Sequence, residues 1–355
     1  MLENVEETLS LKNLPEIKRK QSFWQVMNEQ DASFQWDNLL ILQKDYSIFQ
    51  SFLWGQHKKN MGDKVLRLIF WDHNGKAETL LQIFFKKLPF NIFLGWSPGG
   101  ASGNLIRIKS DLLEILKGEL GARFVYLRFS FHRKENESDR QILLANNLKK
   151  SKYNIAGELS MSYYPNATLD VLSANLKGNW RHNLKRGEKQ NLIISNSADF
   201  DIQSVIRLYR SLEKIKNISK QYSDKELESI LEVFKDKMTI YFASSSDGEL
   251  LALRACVILG SFAFDFLAAT NDNGRKKYAS YLLFWEIAKH CQKHHIAHYN
   301  MMGIDPVKNP GVYNFKQGTG AHLLKYLGEW ELGPFWASVI INLRLLLGRG
   351  LALLH

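Results

Sequence analysis

From residue 201 to residue 302 the spacing of apolar residues changes period in a fixed order, and that order narrows the fold more than any other feature of the chain. Residues 201–215 and 224–234 carry helical spacing. Residues 239–243, 252–258 and 262–268 are β-branched and aromatic runs of strand length, with Asp247 and Gly248 supplying turn chemistry between the first two. Tyr278, Tyr281, Leu282, Trp285 and Ala288 return to the i, i+3, i+4, i+7 spacing of a helix with one buried face, and 298–302 closes the series as a short strand. Helix, helix, three strands, helix, strand predicts an α/β (α+β) unit in which a mixed central sheet is flanked by helices.

The first half fits the same class. Residues 65–71 and 79–85 read as a hairpin around Asp72, His73, Asn74 and Gly75; 105–120 reads as a helix, 124–131 as a strand and 139–150 as a helix. The folded part is expected to begin near Phe23, after a polar segment over 1–22. A chain of 355 residues with 45% hydrophobic content is long enough for two domains, each with its own core. Two cysteines, Cys256 and Cys291, make no disulfide framework, and the opening lacks the apolar stretch of a secretory signal. The expected location is therefore cytoplasmic. No apolar run reaches the roughly 18–20 residues of a membrane-spanning helix.

From Thr168 a helix is predicted through Leu172, Leu176, Trp180 and Leu184 to about Gly187, with Thr168 as its N-cap. Lys177, Arg181, Lys185 and Lys189 form a second row at the same spacing, beside Arg186. With 47 Lys plus Arg against 36 Asp plus Glu, a formal charge of +11, a polyanionic partner is one reading of this row and a solvated helix face the other.

Several separated segments resemble the Fem family, whose members extend peptidoglycan precursors with amino acids carried on tRNA. QSFLWGQHK at 50–58 and GWSPGG at 95–100 are similar to two motifs of its first half, the second in altered form. GNWRHNLKRGEKQN at 178–191 resembles its basic helix. MGID at 302–305, GVYNFKQGTG at 311–320 and HLLKYLGEWE at 322–331 resemble the closing stretch of its second half. The long helical hairpin that some members insert has no counterpart here.

The resemblance implies twin acetyltransferase-like (GNAT) domains: residues 23–164 plus 321–355 on the acceptor side, and 165–320 as the catalytic domain. It implies transfer of an amino acid from aminoacyl-tRNA to an amine of a UDP-linked or lipid-linked muramyl peptide, or a related cell-envelope acceptor. By resemblance Lys316 stabilises the developing oxyanion and Phe315 shapes the pocket, with a surface lysine in a Gly-rich loop as the plain alternative for Lys316. Lys58, with Lys59 beside it, contacts the acceptor's diphosphate. Trp54, Gly99 and Gly100 complete the acceptor-binding set, and Arg181, Lys185, Arg186 and Lys189 meet tRNA.

No cofactor is expected. The rival donor is an acyl-coenzyme A, acting on a nucleotide sugar or surface-polysaccharide precursor. Enzymes of this fold bind pyrophosphate through a loop R-x-x-G-x-G/A, where this chain has RKKYA at 275–279, and Tyr278 in place of glycine hinders close backbone approach. His290, Cys291, His294, His295 and His298 cluster in sequence without a metalloprotease glutamate or a cysteine pair, and no metal site is expected. The apolar stretch from Pro334 is expected to dock on the first half with some contact to the inner membrane face.

Overall fold

The computed structural model describes residues 22–196, 199–216 and 222–346. The polar opening segment lies outside the described residues up to residue 21, as does 347–355 at the end of the C-terminal apolar stretch. The chain divides into two units, one of residues 1–55, 63–155 and 329–355, the other of residues 56–62 and 156–328.

The first unit contains β1 (Phe23–Met27), α1 (Glu29–Leu40), the start of α2 (Phe52–Asn60), β2 (Lys64–Trp71), β3 (Ala77–Leu88), β4 (Ile92–Pro98), β5 (Ser102–Gly103), α3 (Asp111–Leu120), β6 (Phe124–Lys134), α4 (Glu137–Ala145) and β7 (Lys149–Lys150). The expected hairpin forms between β2 and β3. Its turn is fixed by Asp72, whose Oδ1 accepts from the backbone N–H of Asn74 and Lys76, each at 2.8 Å. The sheet runs β1-β2-β3-β4-β6, antiparallel except for the parallel pair β4–β6. Asn28 and Asn136 cap α1 and α4 by accepting from the N–H of Asp31 and Asp139.

Two helix expectations ran long. α3 starts only at Asp111, because Leu105–Arg107 forms a separate 3-10 turn. α4 stops at Ala145: Asn147 takes a positive φ of 62°, and the chain leaves as β7. Asn tolerates this conformation better than most residues.

The second unit holds the end of α2 and then β8 (Leu159–Tyr163), α5 (Leu169–Asn175), α6 (Gly178–Glu188), β9 (Ile193–Asn196), α7 (Ile202–Lys216), α8 (Asp224–Phe234), β10 (Met238–Ser244), β11 (Leu250–Leu259), β12 (Phe262–Thr270), α9 (Asp272–Lys276), α10 (Ala279–Lys293), β13 (His298–Gly303) and α11 (Pro310–Gly318). The start of β14 (His322–Leu332), up to Gly328, belongs here. Its remainder and α12 (Phe335–Leu346) belong to the first unit. The order is β14-β8-β13-β12-β11-β10-β9, with β12–β13 its parallel pair. Ser223 and Glu226 close a reciprocal capping box on α8.

The helix expected from Thr168 to Gly187 is two helices. Thr168 does cap α5, but Leu176 and Lys177 are extended, and the Lys177 N–H bonds the Gly318 carbonyl at 2.9 Å. The break sends Leu172, Leu176, Trp180 and Leu184 into one core with Phe284, Ile287, Tyr299 and Met301.

Candidate functional site

In the second unit, β12 and β13 pair only at Phe262↔His298, Ala263↔Tyr299 and Phe264↔Asn300. Beyond that point β12 stays with β11 as far as Thr270, and β13 bulges against β8 on its way to Gly303. The parallel pair of the first unit, β4–β6, keeps its register over seven residue pairs, from Ile92↔Phe124 to Pro98↔Ser130. Strands that part at their C-terminal ends expose backbone groups and open a wedge, the usual place for a ligand in an α/β sheet.

The bulge is built by side chains. Met302 has a positive φ of 60°, and its N–H donates to Asn300 Oδ1 at 2.8 Å. Ser160 Oγ bridges Asn300 Oδ1 at 2.8 Å and the Met302 carbonyl at 3.1 Å, while Asn300 Nδ2 donates to the Tyr326 hydroxyl at 2.8 Å. This leaves the carbonyls of Met301, Met302 and Gly303 turned toward α11.

Lys316 meets them. The structure places it in α11, buried, and not in the surface loop that Gly311, Gly318 and Gly320 suggested. Its Nζ donates to the carbonyls of Met301, Met302 (3.4 Å) and Gly303 (3.1 Å). An ammonium has three N–H donors and no acceptor, so this lysine fastens the free end of β13 and puts a positive charge at the mouth of the wedge. α11 comes this close because Gly318 lies against Trp180, where a Cβ would sit 2.6 Å from Cδ1 of the indole.

Phe315, one residue earlier, enters an aromatic box with Trp180, Tyr281 and Phe284 at centroid distances of 5.7, 5.2 and 6.1 Å. Arg254 of β11 lies over Phe284 and Phe315, 5.2 and 5.4 Å from their centroids, and pairs with Asp265 of β12 at 2.6 Å. The Tyr299 hydroxyl donates to the other oxygen of Asp265 at 2.8 Å. Burial works against the charge on Arg254, but Asp265 and Tyr299 outweigh it and hold the guanidinium above its ordinary pKa.

Three buried polar atoms around this box lack a hydrogen-bond partner among the described residues: Arg254 Nε, Trp180 Nε1 and the Tyr163 hydroxyl. Buried groups of this kind are normally satisfied, and two of the three are pure donors. The box therefore suits a ligand bearing hydrogen-bond acceptors.

Arg254, Asp265 and Tyr299 were not singled out from sequence. A signal was there: LLALRACVIL and FAFDFLAAT each carry one charge inside an apolar strand, of opposite sign, which is how a buried pair reads.

The basic row on α6 divides. Lys185, Arg186 and Lys189 are exposed, opposite the buried Trp180, Leu184 and Gly187. Arg181 instead donates to the carbonyls of Ala174 and Leu176, at 2.9 and 3.0 Å, closing the end of α5. Arg186 donates to the Tyr278 hydroxyl at 3.0 Å. Tyr278 has a positive φ of 59°, and its N–H bonds the Arg275 carbonyl at 3.2 Å, so a backbone donor where the fold would hold pyrophosphate is already engaged.

In the first unit, Gly99 and Gly100 are buried against the QSFLW segment. A Cβ on Gly99 would meet Ser47 at 2.4 Å, and one on Gly100 would meet the Gln50 side chain at 2.3 Å. Gln50 explains the tightness: its amide donates to the Pro98 carbonyl at 3.0 Å and Ser97 Oγ at 3.2 Å, and accepts from the Gln82 N–H at 2.7 Å. Trp54 is buried edge-on to Phe49, with centroids 4.7 Å apart, and Phe49 in turn meets His132. Lys58 falls with the second unit, where it is buried rather than solvated. In the same unit its neighbour His57 meets Ser229 Oγ through Nδ1 at 3.1 Å.

The His290 and His294 rings lie 4.3 Å apart, tilted by 34°, and His290 Nε2 meets Thr239 Oγ1 at 3.2 Å. Among the described residues no three His, Cys, Asp or Glu side chains are grouped to hold a metal, and no helix is long and apolar enough to cross a membrane.

No curated protein sequence matches the chain. Among solved structures it is similar to FemX, with a TM-score of 0.76 at 14% identity over 90% of this chain and 100% of that one. It is also similar to L-PGS from Bacillus licheniformis (TM-score 0.52, 12% identity, 89% and 96% covered) and to a tandem GNAT protein from the clavulanic acid biosynthesis pathway (0.51, 10%, 88% and 98%). These likenesses establish the fold, a tandem of acetyltransferase-like units. The model of the FemAB family matches residues 201–335, the stretch that carries β12, β13, Phe315 and Lys316. Over that stretch, somewhat more than a third of the chain, the protein is similar to the FemAB family.

Proposed function

We propose that the protein transfers an amino acid from aminoacyl-tRNA to an amine of a peptidoglycan precursor, and that the wedge between β12 and β13 in the second unit is where the ester is attacked. The observation that carries this reading is the coincidence of the FemAB match with the stretch that parts the two strands and sets Lys316 at their ends. The match to FemX is in accord with a peptidoglycan-related aminoacyltransferase.

In the reaction the acceptor amine attacks the ester carbonyl, a tetrahedral oxyanion forms, the C–O bond to the tRNA ribose breaks, and the amine's proton leaves with the ribose hydroxyl or a nearby base. Lys316 supplies the fixed positive charge toward that oxyanion, with the contact to Met302 at 3.4 Å the one most readily exchanged for substrate. Phe315 and Trp180 wall the acyl group, and Arg254 Nε and Trp180 Nε1 offer donors to its polar atoms. The exposed Lys185, Arg186 and Lys189 face tRNA phosphates. In the first unit, Trp54, Gly99 and Gly100 shape the acceptor side from beneath; for Lys58, which falls with the second unit, the family resemblance suggests attraction of an acceptor diphosphate.

The engaged N–H of Tyr278 speaks against an acyl-coenzyme A donor. The test offers labelled aminoacyl-tRNAs and acyl-coenzyme A separately, with UDP-linked and lipid-linked muramyl peptides as acceptors, and identifies the product by mass. An added amino-acid mass from the tRNA reaction alone supports the reading, whereas an added acyl mass from the coenzyme reaction alone replaces it.

A further inference from the structure

α12 is amphipathic the wrong way round for a helix packed on a core. Its polar residues point inward: Ser338 Oγ donates to Glu331 Oε2, and Asn342 Nδ2 donates to Glu331 Oε1 at 3.0 Å. Glu331 is itself buried and lies 3.4 Å from the buried Arg128, so the helix is pinned through its polar side, with Ala337 and Ile341 filling in beside it. Phe335, Trp336, Val339, Ile340, Leu343 and Leu346 are left facing out, with Phe335 68%, Ile340 51% and Leu343 54% exposed. One helix thus exposes six large apolar side chains on a single face, where a packed surface helix exposes polar ones.

The rim of this face is basic. Lys149 Nζ lies 4.7 Å over the Phe335 ring, Phe124 meets Trp336 edge-on at 5.5 Å, and the Arg123 guanidinium sits 5.4 Å over Phe124. Arg344 is exposed on the helix itself. After Glu331 the sequence contains no Asp or Glu. Aromatic side chains at the edge of an apolar face, with cations lying over the rings, match the interface of an anionic bilayer, where the rings sit at headgroup depth and the cations reach lipid phosphates. A second copy of this chain would set the same basic rim, Arg123, Lys149 and Arg344, against this one.

We infer that α12 is a membrane-surface anchor that docks the first unit on anionic lipid, its apolar face in the headgroup–acyl boundary and Arg123, Lys149 and Arg344 on lipid phosphates. The inference rests on α12 and its neighbours alone and stands apart from the proposed reaction.

The test is flotation of the full chain with vesicles of phosphatidylcholine alone and of phosphatidylcholine with about one-third phosphatidylglycerol, at low and at high salt. The wild type is expected to float with the anionic vesicles at low salt, and Ile340→Ser/Leu343→Ser to lose at least about tenfold in partition, since each exposed leucine-sized side chain carries several CH₂ groups. Lys149→Glu/Arg123→Glu is expected to lose the preference for anionic lipid. These side chains are exposed or at the rim, so circular dichroism should be unchanged. In wild-type protein, brominated lipid should quench tryptophan fluorescence, and Trp336→Phe should remove that quenching. Failure of the wild type to float, or equal flotation of the apolar variant, overturns the inference. So does a wild-type dimer in solution that the apolar variant converts to monomer, which would make the face a contact between copies.

Discussion

Lys316→Met removes the ammonium while keeping most of the length of the side chain, and two consequences can be worked out from its contacts. The carbonyls of Met301, Met302 and Gly303 lose the cation they share. A buried acceptor without its partner costs about 1–3 kcal/mol. One of the three contacts is already long and the end of β13 can relax, so we expect about 2–4 kcal/mol in total. For a unit of this size each kcal/mol lowers Tm by about 2–4 °C, giving a fall of about 4–16 °C. Removing a charge aimed at a developing oxyanion should also lower kcat by about a hundredfold or more. The assay pairs thermal unfolding followed by circular dichroism with aminoacyl transfer, run well below the variant's Tm so that loss of rate is not loss of fold. Normal turnover in folded Lys316→Met protein would refute the catalytic role, and an unchanged Tm would refute the fastening of β13. A lowered Tm with normal turnover would leave Lys316 a structural clamp only.

Gly318→Ala should push Trp180 off its seat and destabilise the second unit by about 1–3 kcal/mol, read as a lower urea midpoint; an unchanged midpoint would mean α11 and α6 are not packed as described. Arg254→Met alone leaves Asp265 buried and unpaired and should cost about 3–5 kcal/mol, while Arg254→Met/Asp265→Leu should recover most of that in the same titration. Burial lowers the pKa of both His132 and His298 to about 4. Between that value and about 6.5 the unfolded chain binds protons that the folded chain refuses, so stability is full above about pH 6.5 and falls as pH drops toward 4, by at most about 1.4 kcal/mol per pH unit for each histidine. Tm measured from pH 7 to 4.5 should fall, and His132→Gln/His298→Gln should flatten the curve. Lys185→Glu/Lys189→Glu should weaken tRNA binding and reduce the slope of log affinity against log salt by about one or two; an identical slope would remove α6 from the donor interface.

The parts of this fold that could be read from sequence are those where a local pattern decides. The β2–β3 turn at Asp72, the cap at Thr168, the strand series from β10 to β12 and the helix beginning after Tyr278 follow from periodicity and capping chemistry that act within a few residues. What could not be read depends on neighbours distant in sequence. At the break between α5 and α6 the Lys177 N–H bonds the Gly318 carbonyl, a partner distant in sequence; within 168–187 only Gly178, at the first residue of α6, hints at it. Lys316 looked like a loop lysine because three glycines surround it, yet Asn309 caps α11 by accepting from Val312 N–H, Pro310 opens the helix, and Gly318 is there for contact with Trp180. Gly99 and Gly100 were expected in the acceptor-binding set by resemblance alone; the close packing of Ser47 and Gln50, which leaves neither position space for a side chain, could not be read from sequence. The Arg254–Asp265 pair joins residues 11 apart on adjacent strands: the lone opposite charges in two apolar runs hint at it, and the strand pairing brings them together. Spacing does not single out Phe315 and Lys316 together; only the family resemblance suggests them as a site.

The central claim is tested most directly by a single-turnover reaction of purified protein with aminoacyl-tRNA labelled in the amino acid and a muramyl peptide acceptor, with and without ribonuclease treatment of the donor. The account predicts label appearing in the muramyl peptide as an amide, abolished by ribonuclease and reduced about a hundredfold or more in Lys316→Met protein. Label transfer that survives ribonuclease, or transfer from acyl-coenzyme A under the same conditions with none from aminoacyl-tRNA, would contradict it.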